Sequence, residues 1–408
     1  MAATEKGDVY VVWDDRHNIY FTSTHDDQTK FTPTVVLGEK KNLASSPQLA
    51  ATESGDVYVV WAEKNNVTGN SNIEFISSND SGKTFSGKKE ISGANNTIPF
   101  SPQIAATEKG DVYVVWLDIS NKTGDSNVEL ISSNDSGKTF SSQKDLRKGM
   151  SKSFSPQIAA TEKGGVYVVW VEKNNKTGQS NVELISSNNS GMSFDDTKKL
   201  TSGKPLSFSP QLAVTENGDV YVTWVNKNNK TGDTDILFRS SNDSGTSFDD
   251  RKNLRRSESL LSFSPQITAT EKGDVYLVWT DKNSTTGRSD ITFRSSNDRG
   301  LDFKRAVRLN AGEDKISNSS SPHIATTQEG SVYVIWLENQ IQFKEILDKD
   351  AIFSIPISLS NKTTSAVSAE ITGTKTGDLI LVWVDKNNST DRSLHIKRIS
   401  GHYFDRNS

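Results

Sequence analysis

The chain has 408 residues, 33% of them hydrophobic and 24% charged, with a formal net charge of -4 and no cysteine. The lack of cysteine excludes a disulfide framework and a thiolate metal site. A near-even charge without a Lys/Arg run argues against a nucleic-acid partner, and no stretch approaches the roughly 18 apolar residues of a membrane span. We therefore expect no nucleic-acid partner, no cofactor and no membrane span.

Eight copies of one repeat, each containing a single tryptophan, make up the sequence. The tryptophan closes the phrase GDVYVVW at 7–13, 55–61 and 110–116, with close variants later. Successive tryptophans lie 47 to 57 residues apart, which exceeds the period of the common helical solenoids and fits four strands. The tryptophans are Trp13, Trp61, Trp116, Trp170, Trp224, Trp279, Trp336 and Trp383.

The third repeat shows the expected strands in order. PQIAAT at 102–107 is predicted as the first strand, followed by a hairpin turn in which Gly110 supplies a positive φ. VYVVW at 112–116 is apolar throughout, so this second strand must be covered on both faces. NVELISS at 127–133 is the third strand, and a weaker fourth lies near QKDL at 143–146.

A four-stranded sheet that is buried on both faces needs a similar sheet on each side. Closure into a ring removes the two exposed ends of such a stack. The sequence therefore predicts an all-β protein, a β-propeller of four-stranded antiparallel blades, with eight blades and seven as the alternative. We expect a single, monomeric propeller domain over residues 1–408. The approximate blade bounds are 1–44, 45–99, 100–153, 154–207, 208–262, 263–319, 320–364 and 365–408.

A polar octet ending in phenylalanine recurs between the third and fourth strands, as SNDSGKTF at 78–85 and again at 133–140. Its Asp is placed to accept hydrogen bonds from backbone N–H groups of its own turn. Its Gly permits a left-handed backbone step, and its Phe anchors the turn between sheets. The four complete copies contain Asp80, Gly82 and Phe85; Asp135, Gly137 and Phe140; Asp243, Gly245 and Phe248; and Asp298, Gly300 and Phe303.

This pattern, Ser-x-Asp-x-Gly-x-x-aromatic at a fixed place in each repeat, closely resembles the Asp-box (BNR repeat) of sialidase-like β-propellers. The resemblance covers essentially the whole chain. It implies that the box is structural and lies away from the active face. Asn189 replaces the Asp in the fourth repeat, whereas the first keeps Asp26 with Phe31 and the seventh keeps Asp348 with Phe353.

The resemblance also implies a catalytic set of three arginines on the substrate carboxylate, a Tyr–Glu nucleophile and an Asp acid/base. The chain does not match this set, because seven tyrosines share one buried position of the second strand. Arg239 and Arg294 share one position of the third strand, and they are interpreted as solvent-facing residues or, alternatively, as ligand contacts. We predict no catalytic residue, and the histidines show no metal-ligand spacing.

Candidate binding residues lie at the start of the first strands. A glutamine follows a Ser-Pro pair in five repeats, and a histidine takes its place in the seventh. These side chains either form a ring of amides for a polar ligand such as a glycan, or hydrogen-bond to neighbouring backbone. They are Gln48, Gln103, Gln157, Gln211, Gln266 and His323.

Asn-x-Ser/Thr sequons on the loops favour an exported, glycosylated protein. The same loops contain too few Asp and Glu residues for a calcium site. The first residues, MAATEKG, begin inside a repeat and lack the regions of a signal peptide. We therefore expect any targeting segment to lie outside this sequence. The sequons include Asn66, Asn95, Asn121, Asn175, Asn229, Asn283, Asn318, Asn361 and Asn388.

These features predict a non-catalytic, sialidase-like Asp-box propeller that acts outside the cell or at its surface as a recognition or scaffold module for a glycan or a protein. The alternative is an exo-sialidase or other glycoside hydrolase with a diverged active site. A third interpretation is a recently amplified propeller without a settled ligand, because repeats 2 to 6 are nearly alike.

Overall fold

The structure is a computed structural model that describes residues 1–4, 7–25, 30–38, 42–92, 97–147, 151–202, 206–228, 230–254, 260–310, 319–327, 330–338, 340–348, 352–354, 357–359, 365–374, 378–386 and 392–399. The chain divides into two compact units. Unit 1 contains 1–204 with 244–246, and unit 2 contains 205–243 with 247–408. The part of the chain that the structure describes contains no helix long and apolar enough to cross a membrane.

In unit 1, blades 1 to 4 are each an antiparallel sheet of four strands in sequence order. The fourth strand is a short two-residue pairing in every blade. The strands are β1 (Ala2–Ala3), β2 (Val9–Asp14), β3 (Ile19–Thr24), β4 (Val35–Val36), β5 (Leu43–Ala51), β6 (Val57–Lys64), β7 (Ser71–Ser78), β8 (Lys89–Glu90), β9 (Thr97–Ala106), β10 (Val112–Ser120), β11 (Ser126–Ser133), β12 (Lys144–Asp145), β13 (Lys152–Ala160), β14 (Val166–Lys173), β15 (Ser180–Ser187) and β16 (Lys198–Lys199).

In unit 2, blades 5 and 6 repeat this arrangement, and blade 7 pairs two short pieces with its third strand. Three strands of blade 8 are described. The strands are β17 (Leu206–Val214), β18 (Val220–Lys227), β19 (Thr234–Ser241), β20 (Lys252–Asn253), β21 (Leu260–Ala269), β22 (Val275–Asn283), β23 (Ser289–Ser296), β24 (Val307–Arg308), β25 (Ser320–Thr326), β26 (Val332–Leu337), β27 (Ile341–Asp348), β28 (Ile352–Phe353), β29 (Ile357–Ser358), β30 (Ser365–Gly373), β31 (Leu379–Lys386) and β32 (Arg392–Ile399).

The second strand of each blade carries the core. In blade 3, every side chain of 112–116 is at most 1% exposed. Trp116 packs against Val60 of blade 2, whereas Val115 on the opposite face packs against Trp170 of blade 4. Because a fully buried apolar side chain of this size stabilises the fold by about 1.5–3 kcal/mol, the sheets must stack. The two-sided burial predicted from the sequence is confirmed.

The first strand is longer than the sequence predicted. In blade 3 it spans Thr97–Ala106, so it begins five residues before the predicted start at Pro102 and takes in the whole Ser-Pro pair. Its register with the second strand shifts at this pair, where Ser101 has a φ of 51°. Such a β-bulge on an edge strand accommodates Pro102, which has no N–H for a ladder. The same positive φ recurs at Ser46, Ser155, Ser209, Ser264 and Ser321.

Several predicted features lie outside the described residues. Among them are the box aspartate of the first repeat, the side chain of the box aspartate of the seventh, the end of the last repeat and five sequons. The single eight-bladed domain stays a prediction. The features outside the described residues are Asp26, Asp348, 401–408, Asn95, Asn229, Asn318, Asn361 and Asn388.

Candidate functional site

The aspartate of the octet is the central acceptor of a closed turn. Oδ1 of Asp135 accepts hydrogen bonds from the backbone N–H of Thr139 (2.8 Å) and from Oγ of Ser133 (2.7 Å), and Oδ2 accepts one from Oγ1 of Thr139 (2.6 Å). Contacts of this kind favour the ionised carboxylate, and they lower the pKa of Asp80 to about 2. The same backbone contact is made by Asp80, Asn189, Asp243 and Asp298.

The glycine and phenylalanine of the octet meet the preceding blade. Gly137 has a φ of 75°, and a Cβ placed on it would lie 2.4 Å from Cζ of Phe75. Phe140 packs edge-to-face on the same ring, with the centroids 4.9 Å apart. The box therefore fastens one blade to the next. The same arrangement joins Gly82 and Phe85 to Phe21, and Gly300 and Phe303 to Phe238.

The first hairpin lies beside the box, and its acids serve neighbouring turns. The backbone N–H of Ser136 donates to the carbonyl of Gly110 (3.0 Å). The carboxylate of Glu108 accepts a hydrogen bond from the backbone N–H of Glu53 in the preceding blade (2.8 Å), and Glu162 does the same for Glu108 (2.8 Å). These carboxylates are therefore used within the fold, between blades.

Three half-buried glutamines of unit 1 occupy one equivalent position on the edge strand of their sheets. They are Gln48, Gln103 and Gln157, and each pairs with a valine of the second strand. Among the described residues, no hydrogen bond joins their side-chain amides to another protein group. The alternative that the sequence offers, a hydrogen bond to neighbouring backbone, is therefore not formed within the described part of the chain. An amide that is half-buried and unpaired can offer a donor and an acceptor to a ligand.

The same position in unit 2 is filled by Gln211, Gln266 and His323. All three are half-buried, and each pairs with the second strand of its own blade in the equivalent register. Burial lowers the pKa of His323 below its ordinary value. The imidazole is therefore neutral at pH 7 and, like an amide, offers one donor and one acceptor.

Arg239 and Arg294, interpreted from the sequence as solvent-facing residues or as ligand contacts, are both half-buried. Nε of Arg239 donates to the carbonyl of Asp249 (2.7 Å), and a terminal nitrogen donates to that of Phe248 (3.2 Å), so this guanidinium closes the turn after its own box. Nε of Arg294 is buried without a hydrogen-bond partner among the described residues. Burial lowers the pKa of both guanidinium groups.

The tyrosines of the second strand are poorly placed for nucleophilic catalysis. Tyr113 is 1% exposed, and burial raises its pKa to about 12. A phenol in this state holds its proton far above neutral pH. No group of three or more His, Asp or Glu that could hold a metal ion occurs in the described ranges.

A set of carboxylates that the repeat pattern did not single out lies beside the tryptophans, and all of them are buried except the half-buried Glu172. In blade 4, Glu172 and Glu183 lie with Trp170 along a cleft of about 740 Å³. Glu183 is 9% exposed, and its pKa is raised to about 7 by burial first and by the charge of Glu172 second. A signal was present, because an acid follows the tryptophan by two residues in several blades. These acids are Glu63, Asp118, Glu172, Asp281 and Asp385.

Comparison with known proteins gives one family and several structural neighbours. The sequence profile of a family described as "BNR repeat-like domain" matches residues 87–334. No curated protein sequence matches the chain. An ulvan lyase, described as representing a new family of polysaccharide lyases and bound to -[GlcA(1-4)Rha3S]-, is 11% identical with a TM-score of 0.55, covering 88% of this chain and 94% of its own.

Two sialidase structures are also similar. The Hadza microbial sialidase Hz136 is 15% identical with a TM-score of 0.44, covering 78% of this chain and 71% of its own. The intramolecular trans-sialidase from Ruminococcus gnavus is 13% identical with a TM-score of 0.43, covering 89% and 96%. The propeller class predicted from the repeats is confirmed by the family match and by the four-stranded antiparallel sheets. The blade count stays a prediction.

Proposed function

The chain belongs to the family of BNR repeat-like domains, with the fold of a sialidase-like Asp-box propeller, and we propose that it is an exported, non-catalytic module that recognises a glycan. Its relatives by fold include sialidases and a lyase that are named for action on sugars. A ligand surface on a rigid sheet stack needs no catalytic group, only side chains that stay available at fixed positions.

The glutamine position carries this proposal. In unit 1, Gln48, Gln103 and Gln157 present equivalent half-buried amides that no described protein group engages. A hydroxyl group is both donor and acceptor, and so is a primary amide, so a row of amides suits a polyhydroxylated ligand. The amides are uncharged, which favours a neutral sugar face over an ionic contact.

The absence of the expected catalytic set supports a binding role. Two N–H groups of Arg239 donate to backbone carbonyls. Tyr113, like the tyrosines at the equivalent position of other blades, is buried and has a raised pKa. An anionic sugar needs a cluster of guanidinium groups that are available to its carboxylate. The residues in question serve their own blades instead.

Export is supported by loops that carry glycosylation sequons. Asn66, Asn121 and Asn175 are exposed and lie in loops after the second strand. N-linked glycosylation needs this exposure and takes place on exported chains. Mass spectrometry of the protein secreted from a eukaryotic host should find glycans on these loops, and unmodified sequons in the secreted protein would contradict this part of the proposal.

The experiment for the binding role is a glycan array probed with the fluorescently labelled chain, followed by calorimetry on the best ligand. Gln103→Ala together with Gln157→Ala should weaken that ligand about tenfold, the effect of losing roughly two hydrogen bonds. Gln143→Ala, at an exposed position near the fourth strand of blade 3, is the matched control and should bind normally. An empty array, or equal affinity in all variants, would refute the proposal.

An activity assay tests the non-catalytic part separately. The chain should not turn over a fluorogenic sialic-acid substrate. Turnover that is lost in Arg239→Ala or Arg294→Ala would instead establish a glycoside hydrolase with a diverged active site.

A further inference from the structure

Blade 2 contains two buried carboxylates that share one lysine of the same blade, and Asn42 and Trp61 also donate hydrogen bonds to Glu63. Glu63 and Glu74 are 4% and 5% exposed. Nζ of Lys88 lies 2.7 Å from Oε1 of Glu63 and 3.9 Å from Oε1 of Glu74. Buried carboxylates are stable only when such a partner compensates their charge. Blade 2 therefore shows which chemical group this position of the fold accepts: a primary ammonium.

Blade 4 repeats the two carboxylates without the lysine; Glu183 is buried, whereas Glu172 is half-buried and accepts a hydrogen bond from Oγ of Ser151. The two pairs occupy equivalent positions. Glu183 pairs with Trp170 as Glu74 pairs with Trp61, and Glu172 follows its tryptophan by two residues, as Glu63 does. The residue before the fourth strand, which is Lys88 in blade 2, is Thr197 in blade 4.

A cleft takes the place of the missing ammonium. In blade 4 it has a volume of about 740 Å³ and is lined by Glu172, Glu183 and Thr197. The equivalent pocket of blade 2, which Lys88 lines, has a volume of about 290 Å³. Ligand sites for molecules of sugar size range from roughly 300 to 1,000 Å³. The cleft of blade 4 is therefore large enough for one or two sugar rings.

The charge of Lys199 acts on the carboxyl of Glu183, but it lowers the pKa of this group less than burial and Glu172 raise it. No hydrogen bond or ion pair to its carboxylate occurs among the described residues, although it is 9% exposed. Lys199 faces it across the strands but is itself exposed and forms no ion pair with it. Burial and the nearby Glu172 raise the pKa of Glu183 to about 7, as expected for a buried carboxyl that lacks a partner.

The two cations of the cleft donate their hydrogen bonds to neutral protein groups, and the charge of Arg147 also acts on Asp145 in the same lining. The guanidinium of Arg147 donates to Ser151 (2.7 Å) and to Asn127 (2.7 Å). Nζ of Lys144 donates to the carbonyls of Gly191 (2.6 Å) and Met192 (3.0 Å). The cleft lining contains five carboxylates against these two cations, which disfavours an anionic ligand.

We propose that this cleft between blades 3 and 4 binds the ammonium group of an amino sugar, with Glu172 and Glu183 holding the nitrogen as Glu63 and Glu74 hold Lys88. Met192, which is 75% exposed, lines the same cleft and offers an apolar surface to the C–H face of a sugar ring. The site is separate from the glutamine position, which lies on the opposite edge of the sheet, and does not depend on it.

The test uses a glucosamine trimer, its fully N-acetylated counterpart and 1,5-diaminopentane in calorimetry with the whole chain. The glucosamine trimer should bind, and the acetylated trimer should not, because acetylation removes the ammonium charge. Equal affinity for the diamine and the glucosamine trimer would overturn the assignment to a sugar. No binding of the glucosamine trimer would overturn the site.

Two substitutions locate the binding. Thr197→Lys supplies the lysine of blade 2 and should weaken the glucosamine trimer at least about tenfold by occupying the cleft. Glu183→Gln should weaken it by a similar factor. Thr177→Lys places the same charge on an exposed loop and is the matched control, which should bind like the unaltered chain. Gln103→Ala should also bind normally. Unchanged affinity in Thr197→Lys and Glu183→Gln would refute the proposal.

Discussion

Replacement of a box glycine by alanine tests the idea that the box fastens one blade to the next. In Gly137→Ala the new methyl group would lie 2.4 Å from Cζ of Phe75, whose ring is fully buried and cannot move aside freely. The backbone at Gly137 also has a φ of 75°. Gly124 has nearly the same φ, 68°, but nothing lies within 4 Å of a Cβ placed there.

These two glycines separate the backbone effect from the packing effect. A left-handed conformation costs a residue with a Cβ roughly 1–2 kcal/mol, and this cost applies to Gly124→Ala and Gly137→Ala alike. Overpacking of a filled core costs about 1–3 kcal/mol more, and it applies only where Phe75 is in the way. We expect Gly137→Ala to lower the free energy of unfolding by roughly 2–5 kcal/mol, and Gly124→Ala by roughly 1–2 kcal/mol.

Urea unfolding followed by the fluorescence of the buried tryptophans measures both changes. The double substitution Gly137→Ala with Phe75→Leu provides a further check, because a smaller side chain at 75 should recover part of the loss caused by the methyl group. Equal destabilisation by Gly124→Ala and Gly137→Ala would refute the packing argument. So would the absence of any recovery in the double variant.

Three further predictions concern buried or hydrogen-bonded charges. Asp80→Ala should melt at a lower temperature than Asp80→Asn, because asparagine keeps one acceptor oxygen. The pKa of Asp80 is lowered to about 2 in the folded state, so the contribution of this carboxylate to the free energy of unfolding should be present above about pH 4 and lost as the pH approaches 2. Lys88→Ala should lower the free energy of unfolding, measured by urea titration, by roughly 3 kcal/mol, because it leaves Glu63 without its cation. Lys83→Ala, at an exposed site, should change it little. Burial raises the pKa of Glu129 to about 7, above the unfolded value of about 4.3. The free energy of unfolding should therefore fall as the pH rises from about 5 to 8, and Glu129→Gln should lessen that fall. A free energy of unfolding that does not change with pH in either protein would contradict this prediction.

Much of the fold could be predicted from the sequence because the relevant interactions are local and are repeated. The apolar run at 112–116 required cover on both faces, and Gly110 marked the turn before it. The bulge at Ser101 was missed, because a Ser-Pro pair is equally compatible with a connector and with an interrupted edge strand. Its positive φ is set by pairing with the second strand.

The candidate sites depended on contacts that no repeat pattern specifies. The amide of Gln103 is unpaired although hydrogen bonds to backbone were within the reach of a glutamine, and the guanidinium of Arg239 is held by carbonyls beyond its own strand. The sequence left two interpretations open for Gln103, and for Arg239 it predicted a solvent-facing residue or a ligand contact.

The sequence alone determined that each repeat forms a small sheet and that the sheets stack, because an entirely apolar strand has no face that can meet water. Only the tertiary structure decided which polar side chains are left without partners. Glu74 and Glu183 occupy equivalent positions of the third strand, but Nζ of Lys88 lies 3.9 Å from Oε1 of the first, whereas the second faces an open cleft. The physical reason is that the charge of a buried group is compensated, or not, by atoms that only folding brings near it.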